Sequence, residues 1–76
     1  MDIKVLGTGC PKCLTLEKNV RAAVAHLNLD ATVTKVDDIM DIMTYGIMTT
    51  PALVVDGKVV LKGRVADETE IISLLS

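Results

Sequence analysis

The stretch Ile3-Lys4-Val5-Leu6-Gly7-Thr8-Gly9-Cys10-Pro11-Lys12-Cys13 decides how the chain reads. Ile3 to Leu6 is a short run containing β-branched residues and is ended by Gly7-Thr8-Gly9, so it reads as a strand followed by a loop. From Cys13 to Leu27 the apolar positions are Leu16, Val20, Ala23, Val24 and Leu27. That is the spacing of a helix with one buried face. Pro11 suits the first turn, where no N–H is required, and Asn28 suits the end. Glu17 and Arg21 stand one turn apart on the other side and can pair weakly. The two cysteines therefore flank the start of a helix that follows a strand.

Working outward, Ala31, Val33 and Val36 alternate with Thr32, Thr34 and Lys35, which predicts a second strand over Ala31 to Val36. Asp37-Asp38 can cap a short helix running through Tyr45, with Gly46 as its stop. Ala52 to Val55 is an apolar strand, Asp56-Gly57 a hairpin turn, and Lys58 to Lys62 the returning strand. Asp67 and Glu70 resemble a capping box ahead of Ile71, Ile72, Leu74 and Leu75, so Asp67 to Leu75 reads as a helix. The expected order is β-α-β-α-β-β-α in one α/β domain spanning residues 1–76. Its first two strands are parallel and its last two form an antiparallel hairpin.

A domain of 76 residues buries only about 60% of the surface of its unfolded chain. Most of its apolar half must therefore lie inside. That half is aliphatic, with no Phe, no Trp and one Tyr, Tyr45. Base stacking on aromatic platforms is excluded. Eight basic against ten acidic residues give a net charge of −2, which offers no basic patch to a phosphate backbone. No apolar run approaches the roughly 20 residues of a membrane-spanning helix. Asp2 and Lys4 interrupt any leader-like core. The expectation is a cytoplasmic monomer that engages neither nucleic acid nor membrane.

Cys10 and Cys13 admit three chemistries. A structural bridge across two residues closes a tiny loop and staples little. A four-coordinate zinc site needs further ligands, and the other good donor, His26, falls near the far end of the long helix. An exchanging dithiol fits best, because the motif follows a strand and opens a helix. The helix N-terminus and Lys12 both favour thiolate at Cys10, and the thiolate is the nucleophile. Cys13, one turn into the helix, is more shielded. Cys10 is thus expected to attack and Cys13 to resolve, with no cofactor beyond the Cys10–Cys13 disulfide and no metal. Thr49-Thr50-Pro51 precedes the apolar strand. From the residues alone, a trans Pro51 is the default.

Cys10-Pro11-Lys12-Cys13 between strand and helix, followed by Thr50-Pro51-Ala52 and the Asp56-Gly57 hairpin, resembles the thioredoxin superfamily. It is most similar to very small thioredoxin-like redox proteins of archaea and bacteria. The likeness runs through essentially the whole chain. It implies a four-stranded mixed sheet with helices on both faces, and thiol–disulfide exchange with protein disulfides. It also implies a cis Thr50–Pro51 bond beside the cysteines, with Pro51 crowding the sulfurs. Thr50 would offer its backbone to an extended substrate segment. An upstream reductase similar to thioredoxin reductase is the implied partner. Two positions depart from the thioredoxin pattern: Gly9 replaces an aromatic residue, and Lys4 stands where a buried acid is usual.

Proline after the first cysteine looks like glutaredoxin, with Gly63 and Asp67 as loose counterparts of its glutathione-binding residues. Small metal chaperones share the cysteine spacing but run β-α-β-β-α-β. Ile47 and Met48 are expected as apolar substrate contacts beside Thr50. The wider cluster of Met40, Met43 and Met48 with Ile39, Ile42 and Ile47 reads mainly as core filling, with a soft apolar rim for varied protein partners, leading into the Pro51 loop, as the functional alternative. Tyr45 is expected half-buried, His26 at the surface, and Lys62 and Arg64 as solvated charges.

Overall fold

The computed structural model describes residues 1–9 and 11–75. Its elements are β1 (Asp2–Leu6), α1 (Pro11–Leu27), β2 (Thr32–Val36), α2 (Ile39–Met43), β3 (Ala52–Val55), β4 (Lys58–Lys62) and α3 (Glu68–Leu75). The strands form one sheet in the order β2-β1-β3-β4. β1 runs parallel to β2 and antiparallel to β3, and β3 and β4 are an antiparallel hairpin with an irregularity between Leu53 and Val54. This is the expected α/β order.

Strand alternation assigns each residue to a face. On one face Ile3, Val5, Leu53 and Leu61 pack with Leu16, Val20 and Ala23 of α1 and with Ile71 and Leu75 of α3. On the other, Leu6, Ala52 and Val54 pack with Ile42 of α2 and with Ile47. Helices thus cover both faces, which is why β3 is apolar at every position. The Asn19 side chain donates to the Ala66 carbonyl at 2.9 Å and ties α1 to the approach of α3. Asp56 and Gly57 have φ of 50° and 83°. This left-handed pair is what a two-residue hairpin turn demands.

Three local expectations need correction. α2 stops at Met43, with Thr44 as its cap, rather than running through Tyr45. Thr44, Tyr45 and Gly46 N–H groups bond three residues back, to Asp41, Ile42 and Met43, and this tighter turn closes the helix. The capping box at α3 is half formed. The Asp67 carboxylate accepts from the Glu70 N–H at 2.8 Å, but the Glu70 carboxylate turns away to Arg64.

The third correction concerns Met40, Met43 and Met48, which are not core. A five-residue helix turns one position inward, and Ile42 occupies it. Met40 and Met43 are left 69% and 63% exposed, and Met48 in the following loop 99%.

Candidate functional site

Cys13 lies on the first turn of α1 and is 2% exposed. Leu16 and Val20, fully buried on the same stripe, anchor that face of the helix against the sheet. The seat for Cys13 is Gly7. A Cβ built at Gly7 would stand 2.8 Å from the Cys13 Cβ and closer still to its sulfur. Only a residue without a side chain fits there. Gly7 is itself fixed, since its N–H donates to the Val36 carbonyl at 2.9 Å. Cys10 lies outside the described residues. In the chain it immediately precedes Pro11, the first residue of α1. No acid stands in the first turn of α1 to neutralise the helix N-terminus, and Lys12 there is exposed.

Leu6 pairs with Ala52 across the antiparallel β1–β3 ladder. One step further along that register, Gly7 is level with Pro51. The Thr50–Pro51 bond is cis, as the family resemblance implies, and Pro51 is buried. Its carbonyl accepts from the Gly63 N–H at 2.9 Å. A Cβ at Gly63 would lie 3.1 Å from the Thr49 hydroxyl oxygen, so the β4–α3 loop approaches the proline loop closely.

Beside this end of the sheet runs an apolar groove of about 460 Å³, lined by Thr8, Ile39, Ile42, Met43, Gly46, Ile47, Met48 and Thr50. It joins the loop ahead of the cysteines to the loop ahead of Pro51. Of the expected substrate contacts, Thr50 and Met48 are exposed along it. Ile47 also lines the groove, though at 7% exposure most of its side chain belongs to the core below α2. On the groove's other wall, Ile39 and Met43 belong to the cluster whose alternative reading is an apolar rim, while sequence reading missed Thr8, and Gly7 and Gly63 as close contacts. Gly7 sits where a loop leaves a strand, a position whose glycine could have flagged a close approach.

Lys4 faces the α2 side. Its ammonium donates to the Tyr45 hydroxyl at 3.2 Å and stands 3.7 Å from the Asp2 carboxylate. The hydrogen bond to Tyr45, reinforced by Asp2, raises the Lys4 pKa, so the position usual for a buried acid holds a cation here. Tyr45 is half-buried, as expected.

Arg64 is exposed, as expected, and at the surface its guanidinium makes a two-pronged pair with Glu70. That pairing holds the Glu70 carboxyl below its ordinary range. His26 is exposed. It lies 13 residues beyond Cys13 on the same helix, about 20 Å at the rise of an α-helix. It is therefore too distant to share a metal ion with the Cys13 sulfur.

A mixed four-stranded sheet whose end seats a buried cysteine at the start of the long helix, across from a cis-proline loop, is the architecture of thioredoxin-like thiol–disulfide oxidoreductases. The family model described as thioredoxin domain matches residues 1–76, and the chain belongs to that family. It is 43% identical over 76 residues to a thioredoxin of Methanothermobacter thermautotrophicus, covering 100% of this chain and 99% of the relative. It is 38% identical over 69 residues to a thioredoxin of Methanocaldococcus jannaschii, covering 91% of this chain and 79% of the relative. The order ending on α3 removes the metal-chaperone fold, which ends on a strand.

Proposed function

We propose that this thiol–disulfide oxidoreductase reduces protein disulfides through Cys10 and Cys13, as a cytoplasmic monomeric domain with no cofactor beyond that dithiol. The observation that supports the reading best is the Gly7 seat, which buries Cys13 at the head of α1. A resolving thiol must be protected from outside disulfides yet remain within reach of its neighbour. Cys10, preceding Pro11, takes the attacking role, with Lys12 and the helix N-terminus favouring its thiolate.

The Cys10 thiolate attacks one sulfur of a substrate disulfide. That S–S bond breaks, one substrate thiolate leaves, and a mixed disulfide forms. The Cys13 thiolate then attacks the Cys10 sulfur and releases the second substrate thiol. Two electrons have passed to the substrate, and a Cys10–Cys13 disulfide remains. An upstream reductase similar to thioredoxin reductase restores the dithiol. Thr50 offers backbone to an extended substrate segment, Pro51 holds that loop, and Met48 and Ile47 supply apolar contact along the groove.

Glutathione fits this surface less well. The Arg64 guanidinium is committed to Glu70, and Asp67 caps α3. The test sets an insulin-like protein disulfide against a glutathionylated peptide, and a thioredoxin reductase against glutathione as electron source. Faster reduction of the protein disulfide, driven by the reductase, is the expected result. Cys13→Ser should trap the substrate as a mixed disulfide on Cys10. Failure to trap it, or a much higher rate on the glutathionylated peptide, overturns the proposal.

A further inference from the structure

The chain has four methionines, and all are exposed: Met1 43%, Met40 69%, Met43 63% and Met48 99%. Methionine is ordinarily among the more buried residue types, yet among the described residues the buried hydrophobics include none. Three of the four fall within Met40–Met48, and two of those, Met43 and Met48, line the groove beside the cis-proline loop. Their thioethers are open to any small oxidant that reaches the surface.

We propose that Met43 and Met48 form an oxidation site through which peroxides switch off docking at the groove while leaving the dithiol intact. The inference rests on the groove being the substrate surface, as proposed above. In the step, a methionine sulfur attacks one oxygen of a peroxide. An S–O bond forms and the O–O bond breaks. The thioether is oxidised by two electrons to the sulfoxide, and the peroxide is reduced to water or an alcohol.

The sulfoxide is a strong dipole that water solvates well. Covering it with an apolar substrate segment strips that water without supplying a donor, so binding weakens. A thiol reductant reopens a Cys10–Cys13 disulfide but does not reduce the sulfoxide. The two kinds of oxidation are therefore separable.

The experiment treats disulfide-form protein with hydrogen peroxide, maps the sulfoxides by peptide mass spectrometry, and then restores the dithiol with dithiothreitol. Rates are measured on an insulin-like protein disulfide and on a small aryl disulfide, before and after peroxide, for each variant. The rate on the protein disulfide is expected to fall roughly threefold or more, with the aryl disulfide rate unchanged. Met40→Leu, outside the groove, should show the same fall. A Met43→Leu, Met48→Leu double variant should show none relative to its own untreated rate. An equal fall on both substrates overturns the proposal, as does no fall with Met43 and Met48 oxidised, or resistance of these two to peroxide. If untreated protein reduces neither substrate, the proposed function itself fails and takes this inference with it.

Discussion

Replacing Gly7 with Ala tests the seat on which the resolving role depends. The added methyl would stand 2.8 Å from the Cys13 Cβ, whereas carbon atoms pack comfortably at about 3.5–4.0 Å. Roughly 1 Å of displacement is needed. Neither side yields readily. Gly7 is held by its bond to the Val36 carbonyl, and α1 is held by the fully buried Leu16 and Val20. Overpacking of this kind costs about 1–3 kcal/mol. In a domain of this size each kcal/mol lowers Tm by roughly 4–8 °C. A far-UV circular dichroism melt of the reduced protein measures it. A second readout is the alkylation rate of Cys13 in a Cys10→Ser background, which should rise as the thiol is pushed from its seat. Gly9→Ala is the contrast: a Cβ there meets nothing within 4 Å, but φ is +90°. Its cost is backbone strain, and Cys13 should stay protected. A Gly7→Ala protein with unchanged Tm and a Cys13 as slow to alkylate as before would refute the reasoning.

Four further outcomes are expected. In reduced protein, partial alkylation read by mass spectrometry should label Cys10 ahead of Cys13, which is 2% exposed; Cys13 labelled first reverses the assigned roles. Met48→Ala should leave Tm essentially unchanged and slow protein-disulfide reduction by about 1 kcal/mol or less, around fivefold at most; a clear loss of stability instead would move Met48 into the core. Leu53→Ala, emptying a fully buried site between α1 and the sheet, should cost about 2–5 kcal/mol by denaturant titration, and a loss well below that range would mean that the core collapses around the gap. The Glu70 carboxyl is held below its ordinary value of 4.5 by hydrogen bonding to Arg64. Its contribution to stability is therefore complete above that pH and is lost as pH falls through the lower folded value. Arg64→Met should flatten the acid limb of a Tm-against-pH curve below about 4.5, and an unchanged limb removes the pair as a source of acid sensitivity.

The elements were legible because periodicity and punctuation agree. Leu16, Val20 and Ala23 mark one face of α1, and Asp56-Gly57 can hardly be other than a hairpin turn. The second cysteine's place one turn into that helix followed from the same pattern. The methionines misled because composition says that Met fills gaps. The exposure of Met40 and Met43 depends on how few residues α2 has, and that is set by the tight turn at Thr44. A close approach at Gly7 could be suspected from its place at a strand end, but its partner Cys13, like Thr49 beside Gly63, was illegible because it comes from another segment. The Lys4–Tyr45 bond likewise joins residues 41 apart in sequence. Arg64 and Glu70 sit only six residues apart. Their pairing needed the loop's path, because Glu70 could equally have closed the capping box.

The sheet divides the buried residues unequally. The α1 and α3 side holds the larger cluster, and the α2 side holds little more than Ile42 and Ile47 over the strands. Opening free energies in a folded chain follow such local differences in burial. Backbone amides of α2 and of the segment 44–50 should therefore exchange with deuterium through small, local openings. Those of β1, β3 and the middle of α1 should exchange only through global unfolding. The groove then sits on the part of the domain that breathes, while the cysteine seat at Gly7 belongs to the part that does not. If the groove is the substrate surface proposed above, its contact side would be free to adjust while the Gly7 seat of Cys13 stays fixed.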